Sequence, residues 1–196
     1  AILPFSIKRK NIKKKITKKI NKKCIFFSRL HDQKGLDKLI KAWQAVNNKN
    51  WKLDIVGFGN KNFYIKKFNL YKYKNIRFLK PVVNENKKIK LFDKYDFLAL
   101  PSLSESFGLA ILEALARRIA VLTTNKTPWE EIQKKNCGWL INDSLIELKL
   151  VLNQIFNSSQ REIYEKKKNT IKIVNNFDIR RVSKLYLNCY KNLYKL

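Results

Sequence analysis

Six short apolar runs recur along the chain, and a longer stretch with helical spacing separates each from the next. The runs are 24–28 (CIFFS), 51–56 (WKLDIV), 75–79 (NIRFL), 96–100 (DFLAL), 119–123 (IAVLT) and 138–141 (GWLI). Most are apolar at successive positions rather than at alternate ones, which marks strands buried on both faces. Helix-period segments fall between them at 35–47, 60–72, 84–94, 107–117 and 128–135, followed by helices near 143–156, 159–174 and 178–194. Strands that alternate with helices in this way build βα units and a parallel sheet, not hairpins. The pattern therefore predicts an α/β domain: a Rossmann-like, doubly wound parallel sheet of about six strands with helices on both faces.

The same spacing predicts a division of the chain. Residues 1–22 carry basic residues and no acid, and read as a basic linker or interdomain segment. Residues 23–175 form the sheet domain, and 176–196 a carboxyl-terminal helix with a stripe of Ile179, Val182, Leu185, Tyr186, Cys189, Tyr190 and Leu193. Within the linker Ile12, Ile16 and Ile20 recur at every fourth position, the spacing of one apolar stripe on a short basic helix.

Doubly wound sheets bind ligands at the carboxyl ends of their strands. The loop after the first strand, SRLHDQKG, carries Arg29 and Lys34; the loop after the fourth leads into SESFGLAILEA, residues 104–114. A helix entering near Phe107 and Gly108 presents unpaired backbone N–H groups and the positive end of its dipole, and Gly108 lets an anion approach the backbone. Arg29 and Lys34 add a guanidinium fork and an ammonium point charge, so that together they describe a diphosphate cradle. Glu105 precedes the helix and can face a ligand beyond the phosphates. Glu113, about a turn and a half in, can accept hydrogen bonds from vicinal hydroxyls such as those of a ribose. The plainer roles are an N-terminal charge partner for Glu105 and an i,i+4 pair with Arg117 for Glu113. The joint occurrence with Arg29 and Lys34 favours a site.

Composition changes the picture less than its numbers imply. The 196 residues suffice for one good domain or half of a larger enzyme, and 45% apolar content excludes disorder. A net charge of +28 fits a nucleic-acid or anionic-membrane partner, but the excess is mostly Lys, accompanied by abundant Asn and Ile, a bias that AT-rich coding also writes. The lysines are spread over almost every helix, and no nucleic-acid-binding motif accompanies them. Cys24, Cys137 and Cys189 lie far apart, as reduced thiols do, and form neither a disulfide framework nor a zinc site. No run approaches the length of a membrane span, and the chain opens on Ala, as a fragment of a longer protein does. His31, the single histidine, reads as a loop residue that orders the Arg29–Lys34 turn or merely faces water, and Trp43 as core. Trp129, at a helix start, suits packing and approach to a ligand equally.

From Lys23 to Asn142 the chain resembles the carboxyl-terminal, donor-binding half of a GT-B fold glycosyltransferase of family 4, the group 1 glycosyl transferases. The resemblance rests on FFSRLHDQKGLDKLIKAW, LDIVGFGN, IRFLKPV, LALPSLSESFGLAILEALA and TPWEEI, and above all on Glu105 and Glu113 combined with Arg29 and Lys34. It implies retaining transfer of a sugar from a nucleotide-diphosphate sugar such as a UDP-sugar to a glycan or lipid-linked acceptor, as in lipopolysaccharide or polysaccharide assembly. Arg29, Lys34 and Glu105 would form the catalytic group, with the two cations on the diphosphate and Glu105 on the donor sugar. The backbone of Phe107, Gly108 and Leu109 would hold sugar and phosphates, Glu113 the ribose hydroxyls, and the segment from Leu79 to Val82 the base. No metal or other cofactor is expected. The family's usual Gly and Pro after this helix are Arg118 and Ala120 here. The acceptor belongs to an amino-terminal half outside these residues, so this chain is expected to be inactive alone. It is expected in the cytoplasm, with peripheral attachment to an anionic inner membrane face. The rival readings are a basic nucleic-acid-binding module and a non-catalytic sugar-nucleotide-binding domain.

Overall fold

A computed structural model describes residues 5–13 and 15–194. Its six strands are β1 (Lys23–Phe27), β2 (Lys52–Val56), β3 (Ile76–Leu79), β4 (Phe97–Leu100), β5 (Ala120–Thr124) and β6 (Gly138–Ile141). They form one parallel sheet in the order β3-β2-β1-β4-β5-β6. The helices are α1 (Leu36–Val46), α2 (Lys61–Lys67), α3 (Glu85–Phe92), α4 (Leu109–Ala116), α5 (Glu131–Lys134), α6 (Leu145–Asn157), α7 (Gln160–Asn169), α8 (Ile171–Val174) and α9 (Ile179–Tyr194).

The order fixes where each helix lies. Moving from β1 to β2 and from β4 to β5 steps the chain in opposite directions, and right-handed crossovers then put the intervening helices on opposite faces. The ion pair of Asp37 on α1 with Lys67 on α2, and that of Lys88 on α3 with Glu113 on α4, match this two-sided arrangement. Strand interiors are buried throughout β4 and β5, and Trp43, Trp51 and Phe97 with Phe156 fill the α1/α6 side of the core. Trp43 is core, as its helical spacing predicted.

Several helical segments are shorter than their spacing predicts, each for a local reason. The 60–72 segment breaks at Asn69, which stands at φ 49°, and resumes as a 3-10 turn over Leu70–Lys72. The 159–174 segment breaks at Thr170, whose hydroxyl bonds back to the Lys167 carbonyl in competition with the helix ladder. The lead segment is not the basic helix that Ile12, Ile16 and Ile20 predict: after a 3-10 turn at Arg9–Asn11, residues 15–22 carry no helix. Its backbone bonds outward instead. Ile7 bridges Asp178 and is buried, Lys13 N–H donates to the Ala116 carbonyl, and the N–H groups of Asn21 and Lys23 donate to Asp96.

Asp96 is fully buried and also accepts from Lys167 at 2.9 Å, an enclosed ion pair that ties the lead segment, β4 and α7 together. A second polar cluster joins the β2 and β3 strands: Arg77 grips Asp54 through two hydrogen bonds of 2.8 and 2.9 Å, and the Tyr95 hydroxyl donates to the same carboxylate.

Cys24 and Cys137 are buried and free, and burial raises both thiols, Cys137 to about 11. Cys189 is partly exposed on α9. A thiolate is the reactive species, so at neutral pH a thiol reagent should label Cys189 rapidly and the other two only as the protein unfolds. Counting labelled thiols against denaturant concentration checks this; prompt labelling of all three would show that the sheet core is open.

Candidate functional site

The sheet reverses direction between β1 and β4, and the two loops that leave these strands lie against each other. Gly35 (φ 71°) closes the first loop, and a Cβ placed there would come within 2.0 Å of the Pro101 carbonyl oxygen in the second. Only glycine satisfies both the left-handed backbone and this approach. The Leu103 N–H donates to the Gln33 carbonyl, and Lys34 Nζ reaches Glu105 Oε1 at 2.9 Å. Gly57 meets Ser28 in the same way, so that a Cβ there would fall 1.6 Å from the Ser28 oxygen, which draws the loop after β2 onto the same rim.

Two predicted cations thus take different places. Lys34 is mostly enclosed, its side chain 14% exposed against 11% for Glu105, and the two neutralise each other. Arg29 is exposed and, among the described residues, has no ion pair or hydrogen-bond acceptor. Glu105 Oε1 also accepts from the Ser102 hydroxyl at 2.9 Å, while Oε2 has no partner among the described residues. Glu105 is therefore held by one oxygen and offers the other.

The helix after this loop opens at Gly108, with φ 82° and no side-chain cap. Among the described residues the N–H groups of Gly108, Leu109 and Ala110 find no acceptor, whereas those of Ile111 and Leu112 bond to the Gly108 carbonyl. Three unpaired donors and the positive end of the helix dipole lie at the carboxyl edge of the sheet, where the loop that carries Arg29 also leaves β1, an arrangement suited to an anion. The turn is braced from below: the buried Trp129 indole donates to the Phe107 carbonyl, and the Phe107, Trp129 and Phe177 rings pack together. Trp129 is thus packing. His31 orders its loop by accepting the Gln33 N–H at Nδ1.

Glu113 lies farther along α4 and pairs with Lys88 of α3, not with Arg117. Arg117 turns instead to Asp93, which it grips at 2.7 Å. Leu79, the last residue of β3, and Val82 beyond it are half-buried against the core. Sequence reasoning missed Lys88, and it missed Ser102, Thr123 and Thr124. The Thr123 hydroxyl donates to the Leu100 carbonyl at 2.8 Å and the Thr124 hydroxyl to the Ser102 carbonyl, so β5 pins the Glu105 loop. Two adjacent threonines ending an apolar strand beside such a loop were the available signal.

The family model of the glycosyl transferases group 1 matches residues 8–174. The chain belongs to that family. Its sheet and helices are those of the carboxyl-terminal half of a GT-B glycosyltransferase. An uncharacterized glycosyltransferase of Haemophilus influenzae is 29% identical over 140 residues, covering 69% of this chain and 39% of that protein. The chain spans about two fifths of the length of the curated relatives it matches. Among solved structures, the C-terminal domain of a group 1 glycosyl transferase (LpcC) from Francisella tularensis superposes with a TM-score of 0.68 at 23% identity, over 80% of this chain and 86% of that one. HepE of Anabaena, solved with UDP and glucose, gives 0.70 at 21% identity, over 89% and 48%. Among the described residues no helix is long and apolar enough to cross a membrane.

Removing Lys34 leaves the enclosed Glu105 oxygen with one partner fewer, so Lys34→Ala should cost about 1–3 kcal/mol of stability. Glu105→Gln in the same chain should recover much of that loss, because the amide carries no charge to strand. A double-mutant cycle by urea denaturation checks the coupling, and additive losses would place the two groups apart.

Proposed function

We propose that this chain is the donor-binding half of a retaining glycosyltransferase that takes a sugar from a nucleotide-diphosphate sugar, UDP-linked in the simplest case, to a glycan or lipid-linked acceptor. What supports this reading is that the exposed Arg29, the Lys34–Glu105 pair and the uncapped N–H groups of Gly108, Leu109 and Ala110 all belong to the loops that leave the adjacent parallel strands β1 and β4 at their carboxyl ends. A leaving diphosphate develops charge as the glycosidic bond breaks. Fixed donors and cations already in place stabilise it without reorganising, and no metal is needed for that task.

Each group then has a distinct part. Arg29 supplies a guanidinium fork to phosphate oxygens, and Lys34, anchored by Glu105, adds ammonium protons beside it. Glu105 presents Oε2 to sugar hydroxyls, and the Phe107–Leu109 backbone cradles sugar and phosphate. Glu113 accepts ribose hydroxyls while Lys88 holds its carboxylate in place, and the Leu79–Val82 segment lies against the base. The acceptor is supplied by an amino-terminal half, so this chain alone binds donor without transferring sugar. A peripheral cytoplasmic position at an anionic membrane face suits a lipid-linked acceptor and the +28 charge.

Titration calorimetry with UDP and UDP-sugars tests the reading. Arg29→Ala should weaken UDP by about 1.5–3 kcal/mol and leave uridine unchanged. Glu105→Gln should weaken the sugar nucleotide while sparing UDP, and Glu113→Gln should penalise UDP more than its 2′,3′-dideoxy analogue. Equal losses for phosphorylated and unphosphorylated ligands would remove the diphosphate from this edge.

A further inference from the structure

A cavity of about 660 Å³ opens between the lead segment, α8 and the first half of α9. Its charged lining is Lys13, Arg118, Asp178, Arg180, Arg181 and Lys184, five cations against one acid, with Asn175 beside them. Ile12 and Ile171 give it an apolar wall. The acid is already committed: Asp178 accepts the Arg180 N–H at 2.9 Å and caps α9. Lys13 reaches Asp93 at 3.3 Å, a carboxylate that Arg117 already grips. Among the described residues Arg118, Arg180, Arg181 and Lys184 form no ion pair.

Arg118 is the unusual member. It stands at φ 62°, a conformation that costs any side chain bearing a Cβ. Its guanidinium is half-buried and donates to two backbone carbonyls, Lys13 at 2.9 Å and Lys168 at 3.0 Å, leaving its remaining N–H groups without acceptors among the described residues. Burial without a neutralising partner lowers its affinity for its proton. A strained, desolvated cation facing a cavity of further unpaired cations is stabilised by an anion, and a tetrahedral phosphate offers oxygens to several donors at once. We propose that this cavity is an anion site for a phosphate monoester, separate from the Arg29–Gly108 edge. Arg118 precedes β5 and so lies at the amino edge of the sheet, whereas the loops of the proposed donor site follow the carboxyl ends of their strands.

The test titrates inorganic phosphate into the 196-residue chain carrying Arg29→Ala, so that the proposed donor edge does not compete. Arg118→Gly and Arg181→Gln should each lower phosphate affinity about tenfold, the loss of one charge-assisted hydrogen bond. Lys74→Gln, which removes one charge from a different lysine-lined cavity, should change it less than about twofold. Arg181 is exposed and forms no ion pair among the described residues, so Arg181→Gln should keep the melting temperature and decides the test where Arg118→Gly, which also loses the hydrogen bonds to the Lys13 and Lys168 carbonyls, does not. Flotation with phosphatidylcholine vesicles containing phosphatidate, against phosphatidylserine at matched charge, identifies the source. Arg118-dependent preference for phosphatidate assigns a lipid headgroup, and phosphate binding without that preference assigns a soluble ligand. Equal losses for Lys74→Gln and Arg118→Gly, or no loss for Arg118→Gly and Arg181→Gln, would overturn the site.

Discussion

The backbone contact between Gly35 and Pro101 is the constraint on which the site depends. A parallel sheet whose crossovers leave β1 and β4 in opposite directions opens a crevice between those strands. The crevice becomes a rim only if the two departing loops are held at van der Waals distance. Gly35 removes the Cβ that would separate them, the Leu103–Gln33 hydrogen bond fixes their register, and the Lys34–Glu105 pair joins their side chains. Lys34 and Glu105 sit within a few residues of this contact. A larger residue at position 35 would move Glu105 and the start of α4 together.

Charge is arranged around a shortage of acids. With 15 acidic residues for 43 basic ones, most carboxylates pin a cation, and several hold more than one donor. Asp93 takes Arg117 and Lys13, Asp54 takes Arg77 and Tyr95, and Asp96 takes Lys167 and two backbone N–H groups. The one enclosed pair of these, Asp96–Lys167, contributes little net stability against well-packed apolar groups, but losing one partner strands a buried charge at roughly 3–5 kcal/mol. It therefore fixes geometry. Among the many cations left unpaired are Arg29 on one edge and the group around Arg118 beside α9.

The sheet was legible because burial on both faces forces unbroken apolar runs, and β4 and β5 read that way in the sequence. The pairing of Glu113 was not. Spacing favoured Arg117 at i+4, but Arg117 has a better bidentate partner in Asp93, and Lys88 arrives from α3, a long-range contact that no local pattern encodes. The lead segment misled for a related reason. Its isoleucines keep a helical period, yet helix propensity alone is weak over so short a stretch, and hydrogen bonds to α4, Asp96 and Phe177 offered the backbone better partners. Glu105 and Gly108 were readable as a pair because a glycine at a helix start has few structural uses. The bracing of their loop by Ser102, Thr123 and Thr124 was hidden, since it depends on strand order.

Helix α4 joins these threads, because its two ends are treated in opposite ways. At the carboxyl end the carbonyls of Glu113, Ala114, Leu115 and Ala116 all accept hydrogen bonds, from Arg117, Arg118, Ile119 and Lys13. At the amino end Gly108 provides no cap and three N–H groups stay unpaired among the described residues. A helix needed only for packing gains from capping both ends, and a serine or aspartate at position 108 would supply the usual acceptor. The left-handed backbone at 108 and the nearby Ile111 and Trp129 side chains exclude one at little cost only if that end is to stay open. The capping interactions of α4 thus gather at the end that meets the lead segment, and the other end stays open, where the proposed function assigns the diphosphate.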